Sequence, residues 1–466
     1  MRLALAAAAL VAALAAEVAC AGSSSAMPAG MDWGRFDYDA ARSGSAPGSG
    51  ITAQNISKLH RLTVRLDGTV DSSPIYLHDV RVRGGTHDTF FVTTTYGRTE
   101  AIDAGSGHVL WRFTPPRYSQ LAGSAQITNA TPAASTDRSA IYAAAPDGRI
   151  RKLRVSDGKV LWTTAITRDP THEKITSSLN VSRGLVIATT GGYIGDAPPY
   201  QGHVVTMSER TGRIAHVWNS LCSNRKGLIL PRTCPSSDSA IWSRSGAAVD
   251  PATGDLVVAT GNAPWDGRTD WGDSVLVLSP DASRLLRHYT PASYRRLNDA
   301  DLDLGSTSPA LLPNGYAVQG GKDGVLRLLR LHRLPGVNAR TGGELQTLPA
   351  PGPTDVFTAP AVWRGTWVFV ATSAGTEALR LRAGRLHRVW SNATGGTSPV
   401  VAGSLLYVAG DGALHVYAPA SGREVATLPA GPVHWQSPIV ADGRIAVAEG
   451  NANEHATSGV LDIYAR

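Results

Sequence analysis

An all-β, eight-bladed β-propeller is the fold class this sequence predicts, and three observations predict it. One unit of about four strands recurs eight times from Leu62 to the end of the 466-residue chain. Repetition at a fixed period of that size marks sheets arranged as blades around an axis. Within each unit the strands alternate apolar and polar side chains, as in LLYVAG and WVFVATS, so one face turns inward and the other meets the next sheet. Finally, the last unit stops after SGVLDIYAR, one strand short, while an unpartnered strand, KLHRLTVRLDG (Lys58–Gly68), stands at the other end. Pairing the two removes exposed edges at the seam. The last blade is therefore predicted to be closed by an N-terminal strand.

Composition agrees with an ordered β protein. Hydrophobic residues make up 42% and charged residues 17% of the chain, which argues against disorder. The 49 glycines and 28 prolines follow no collagen-like period and read as turn punctuation. Net charge is +7, but the basic residues are scattered among acidic ones. A nucleic-acid partner would call for a concentrated basic patch with stacking aromatics, so none is expected.

The chain opens as a targeting segment. Met1-Arg2 supplies a positive start and Leu3–Ala16 an apolar run too short for a membrane span. Ala19-Cys20-Ala21 permits cleavage after Ala21, giving a signal peptide over residues 1–21. Cys20 as a lipid-modified first residue is the alternative, against which Glu17 stands where a lipobox has an apolar residue. Both outcomes make the protein exported and extracytoplasmic, secreted or periplasmic. No later segment is long and apolar enough for a transmembrane span. Residues 22–55 read as a small-residue linker and an aperiodic arm laid across the domain, and 56–466 as the propeller.

Three cysteines fit this export. Cys222 and Cys234 bracket a polar loop, and in an oxidising compartment a disulfide is expected there rather than two free thiols. No Cys/His spacing suggests zinc, and no carboxylate pair suits glycan cleavage. The hairpins Asp147-Gly148, Asp323-Gly324 and Asp411-Gly412 supply the positive φ of tight turns. Trp111, Trp162, Trp218 and Trp390 close outer strands, where a large ring packs between adjacent blades.

Between Ala240 and Leu331 the repeat acquires residues that strand packing does not need: Trp242, Asn262, Asp301, Asp303 and Lys322. Each falls at a strand start or just past a strand end, where a propeller's central channel opens. Each also has an ordinary explanation. Trp242 reads as a packing ring, Asn262 as a Gly-Asn turn, Asp303 as a cap on backbone amides and Lys322 as a solvated turn lysine. Lysine is not the default basic residue here, however: only six of the 44 Lys and Arg residues are lysine.

The segments DWGRFDYDAARSGSAP, ITAQNISKL and EAIDAGSGHVLWRF, with DLDLGSTSPALL and GGKDGVLRLL later on, resemble the pyrroloquinoline-quinone (PQQ) dehydrogenases, and the polyvinyl-alcohol dehydrogenase branch in particular. The resemblance implies a PQQ-repeat propeller that oxidises an alcohol or polyol and passes electrons to an external acceptor, since there is no CxxCH haem motif. It implies Trp242 as the floor under the quinone, with Asn262, Lys322 and Asn129 also binding the cofactor. Asp303 is implied as catalytic base, and Asn262, Asp303 and Asp196 as metal ligands for Ca2+. The chain also departs from the family. AGSAQITNAT lacks the adjacent cysteine pair and the arginine and keeps only Asn129, and TTGGYIGDAPPYQGHV lacks the metal-binding glutamate. The repeat is shared with outer-membrane assembly propellers, so the alternative is a non-catalytic envelope scaffold that binds a protein or a polymer.

Overall fold

The computed structural model describes residues 31–195, 197–410 and 412–466. Its strands form eight sheets, each built on an antiparallel meander, with strands from the N-terminal region added to two of them. Blade 1 runs Ile75–Val82, Gly85–Thr93, Thr99–Asp103 and Val109–Phe113. Blades 2 to 7 begin at Ala133–Ala134, Asn180–Ser182, Ala248–Val249, Ala310–Leu312, Ala361–Trp363 and Val400–Ala402. These first strands are short and mostly buried, whereas a fourth strand such as Val160–Ala165 is largely exposed. The first strand of each blade therefore faces the axis and the fourth faces solvent.

Blade 8 carries the predicted seam. Its sheet is ordered His60–Leu66, Gly459–Ala465, Arg444–Glu449 and Ile439–Ala441. The N-terminal strand pairs antiparallel with the C-terminal one over seven residues, from His60 opposite Ala465 to Leu66 opposite Gly459. The free edge of the C-terminal strand is thereby paired. Arg61 of the N-terminal strand also reaches Glu449, at 3.3 Å, and Asp462. Burial, with Asp462 adding repulsion, pushes the Glu449 carboxyl up to about 7. A carboxyl raised on folding contributes stability that is complete below its unfolded pKa and is lost as pH rises through about 7. We expect the thermal midpoint to fall between pH 5 and pH 8, and Glu449→Gln to remove part of that fall in a pH series of melts.

The outer tryptophans pack as their positions predict. Trp111 is buried and its indole N–H donates to the Val155 carbonyl of blade 2 at 2.7 Å. A Cβ added at Gly158 would lie 2.6 Å from that ring, and φ there is +72°. Trp162 repeats the arrangement on Gly212 and Trp390 on Gly422, with indole bonds to Glu209 and Pro419. Trp218 packs with Ile241, Val249 and Leu276 of blade 4. Blades 1, 2 and 6 thus dock a ring on the next blade's turn glycine. Gly158→Ala should cost about 1–3 kcal/mol through steric overlap and left-handed strain, read as a lowered denaturant midpoint.

Gly148 and Gly324 take positive φ as the hairpins require, and the preceding Asp147 and Asp323 pair with Arg151 and Arg327. Asp411 lies outside the described residues, as do Glu17, Cys20 and the whole targeting segment. Cys222 and Cys234 are disulfide-bonded.

The arm lies across the domain, but it is also part of the core, where the sequence reading kept it outside. Trp33 and Phe36 are almost fully buried, and Trp33, Ala46 and Ile51 belong to a core cluster with blades 7 and 8. Its carbonyls accept hydrogen bonds from innermost-strand amides: Gly34 from Ala134, Ala40 from Val249, and Ser43 from Val362, at 2.7–2.8 Å. Ser45–Ala46 pairs parallel to Val401 and Ala402. The segment crosses successive blades rather than running along one. It shows no strand period because each residue meets a different neighbour. These contacts fall at the exit ends of the inner strands, so the arm closes that end of the channel.

Candidate functional site

At the opposite end, the segments leading into the inner strands converge. Trp242 and Arg244 precede the first strand of blade 4, Asp303 that of blade 5, Phe357 that of blade 6 and Trp435 that of blade 8. Asn262 and Lys322 follow the second strands of blades 4 and 5. With Asn129 and Lys174, these residues line one axial cavity of about 300 Å³, the lower end of the range for small-molecule sites. Trp242, Asn262, Asp303, Lys322 and Asn129 are therefore brought together. Asp196 lies outside the described residues, although its neighbours Tyr193 and Gly195 line the cavity.

The carboxylate of Asp303 is held on both oxygens. Oδ1 accepts the Asn262 backbone N–H at 2.6 Å, and Oδ2 pairs with Lys322 Nζ at 2.6 Å. The amide it receives comes from the neighbouring blade, so the carboxylate bridges blades 4 and 5. Its backbone is fixed by the Lys322 N–H, which donates to the Asp303 carbonyl, and by Asp273, which accepts from Leu304 N–H at 3.0 Å. Gly261 leaves room for the carboxylate: a Cβ there would sit 2.4 Å from Oδ1. Burial raises the Asp303 pKa above the ordinary carboxylate value, with Lys322 opposing. Asp301 lies on the exposed side and braces Lys322 at 2.8 Å. For Lys322, burial is outweighed by Asp303 and Asp301, and its pKa is raised.

Aromatic rings form a continuous wall. Trp242 contacts Phe357 at 5.9 Å between centroids, and Phe357 contacts Trp435 at 5.4 Å. Lys322 lies over the Trp242 ring at 5.5 Å, and the Arg244 guanidinium covers Trp435 at 4.1 Å. Trp435 is anchored through Asp71, a buried carboxylate that accepts from Trp435 N–H, His434 Nδ1 and Asn129 Nδ2. Asn129 Oδ1 is buried without a partner.

Two cations in this cavity escaped the sequence reading. Lys174 is 6% exposed, and its ammonium has no hydrogen bond or ion pair among the described residues. Arg244 is 8% exposed, with Nε and Nη1 buried and unpartnered. Burial, together with Arg244 nearby, pushes Lys174 down to about 7, and burial pushes Arg244 down to about 10, with Asp71 opposing both. The signal was positional. Arg244 and Trp435 occupy the same strand-entry segments that drew attention to Trp242 and Asp303, and Lys174 is one of six lysines.

A closed eight-bladed propeller with an aromatic, cationic cavity on its axis is the class these features define. A family model described as outer membrane protein assembly factor BamB matches residues 57–260. The chain is 26% identical over 308 residues to the quinohemoprotein alcohol dehydrogenase ADH IIB of Pseudomonas putida, covering 60% of this chain and 42% of that one. Its fold is similar to that of the quinohemoprotein alcohol dehydrogenase from Comamonas testosteroni, with a TM-score of 0.68 at 16% identity, covering 93% of this chain and 80% of that one. A europium-containing methanol dehydrogenase gives the same TM-score and identity, over 93% and 98% of the two chains. The chain is thus similar in sequence, over part of its length, to quinoprotein alcohol dehydrogenases and shares their β-propeller fold. It spans 31% to 42% of the length of the curated relatives it matches. Among the described residues no helix is long and apolar enough to cross a membrane.

Proposed function

We propose that this protein is an exported quinoprotein oxidoreductase that binds PQQ in the axial cavity and oxidises an alcohol or polyol. One observation carries the reading: stacking aromatic faces share a cavity with Lys174 and Arg244, two buried cations that make no ion pair among the described residues. PQQ is a flat, fused-ring o-quinone bearing several carboxylates, so its chemistry fits both features. Trp242 would stack on the ring system. Arg244, Lys174 and the free Asn129 Oδ1 would meet its polar edge, and Lys322 would sit near a quinone oxygen, where it favours developing negative charge. When bound, the quinone supplies the acceptor for the substrate's hydride. Asp303 would take the hydroxyl proton, from a position fixed by Asn262 N–H and Lys322.

The calcium ion implied by the resemblance fits less well. Its candidate ligands are Asn262, Asp303 and Asp196; both Asp303 oxygens are already engaged, and Asp196 lies outside the described residues. Calcium takes six to eight hard oxygens, commonly from several carboxylates. Among the described residues, the His, Asp and Glu trio close enough to hold an ion is His78, Asp88 and Asp442, between blades 1 and 8. Three cations also line the cavity. No step is assigned to a metal.

The test is to incubate the purified protein with PQQ, with and without calcium, desalt it, and assay dye reduction with alcohols, polyols and polyvinyl alcohol. Retained quinone with alcohol-dependent turnover supports the reading, and absence of both rejects it. Electrons would leave to a separate acceptor, for which the dye stands. Residues 1–21 are proposed as the export signal ahead of a linker and arm (22–55) and the propeller (56–466), checked by the mass of the secreted form. The match to an assembly-factor model favours a second reading, an envelope scaffold. That reading expects an envelope protein whose binding survives Asp303→Ala.

A further inference from the structure

Among the described residues, the cavity's charge is the reverse of what a metal site needs. Its described walls present Lys174, Arg244 and Lys322 against Asp303 alone, and that carboxylate is already paired. Lys174 sits on the two-residue strand Lys174–Ile175, held against Thr190 and Gly191. Alternation along that strand separates it from its neighbour Glu173, which is fully buried and paired with His203 at 2.9 Å. Among the described residues no carboxylate forms an ion pair with Lys174, and Asp71 acts on it only at longer range. Arg244 is likewise tied to the Trp435 face and not to an acid. A buried, unpaired cation is costly unless a ligand completes it. Two of them side by side in a cavity with aromatic walls describe a receptor for a planar polyanion.

We infer that Lys174 and Arg244 together supply the positive charge that a metal ion supplies in relatives such as the europium-containing dehydrogenase, and that this cavity binds an aromatic polycarboxylate without a metal. The inference rests on the PQQ reading for the identity of that ligand. The ammonium and guanidinium form charge-assisted hydrogen bonds to ligand carboxylates, and they repel a divalent or trivalent ion from the same space.

The experiment titrates PQQ into EDTA-treated protein, following quenching of tryptophan fluorescence, and repeats the titration with calcium or europium added. The expected result is an unchanged Kd with and without metal, weakened at least tenfold by Lys174→Met and by Arg244→Met. A Kd that tightens tenfold or more on adding either metal overturns the inference, including the case in which Asp196→Ala abolishes the tightening. Terbium alone gives a second readout that needs no quinone. Tryptophan-sensitised emission lost in Asp303→Ala would also overturn it, and no site-specific emission is expected. Should PQQ bind in neither condition, the proposed function fails. Benzene-1,2,4-tricarboxylate then replaces it as the probe: Lys174-dependent binding in EDTA upholds the metal-free anion site, and its absence ends it.

Discussion

Asp303→Asn in the PQQ-loaded protein is expected to lower alcohol-dependent dye reduction by roughly 10²–10⁴-fold, the usual worth of a positioned general base, while quinone affinity stays near that of the parent. The geometry explains the separation. An asparagine oxygen still accepts the Asn262 N–H now bound at 2.6 Å, so the strand-entry loops keep their register. Its amide group faces Lys322 with donors instead of an acceptor, and the 2.6 Å ion pair is lost. Lys322 nevertheless remains tethered to Asp301 at 2.8 Å. What disappears is a site for the substrate proton. In the parent protein, burial lifts the Asp303 pKa while Lys322 holds it back. Activity should therefore rise with pH through an acid limb placed above the ordinary aspartate value, and Lys322→Met should move that limb further up. A pH profile of kcat/KM checks both. Residual turnover within tenfold of the parent in Asp303→Asn would remove this carboxylate from the reaction.

How far the sequence carried depends on which force each residue obeys. Blade number, strand alternation and the closing strand were legible because they repeat, and repetition reports packing that every blade must satisfy. The docking role of Trp111 and Trp390 was legible for the same reason. Trp242, Asn262, Asp303 and Lys322 stood out against the repeat, and they do converge. Lys174 and Arg244 did not stand out. A single cation among 44 Lys and Arg residues shows nothing of its burial, which depends on segments from other blades closing over it. The arm's part in the core was hidden in a related way. Its buried Trp33 and Phe36 carry no period, because they touch the propeller across its blades. A one-strand window cannot display contacts spread one residue at a time over successive blades.

Lys174→Met is expected to stabilise the ligand-free protein by roughly 2–4 kcal/mol at pH 6–7, and the gain should fade as pH rises toward 10. Burial lowers the ammonium pKa from 10.5 to about 7. The unfolded chain therefore holds this proton across a window in which the folded chain has released it. Stability of the parent rises with pH where the unfolded state binds more protons, at about 1.4 kcal/mol per unit for one group. Below pH 7 both states carry the charge and the folded protein bears the full cost of its desolvation. Across the whole window that cost is of order 4–5 kcal/mol, and solvent reaching into the cavity reduces what methionine recovers. Urea denaturation at pH 6, 7, 8 and 9 should show the parent approaching the variant as pH increases. A variant less stable than the parent at pH 6 would mean that Lys174 already has a partner in the ligand-free protein. The gain in stability carries a cost in function, because the charge that weakens the empty fold is the one proposed to hold the ligand. The same substitution that strengthens the apoprotein should erase the stabilisation that saturating PQQ gives the parent by mass action. Paired melts with and without quinone at pH 6 would then show the order of the two proteins reversing.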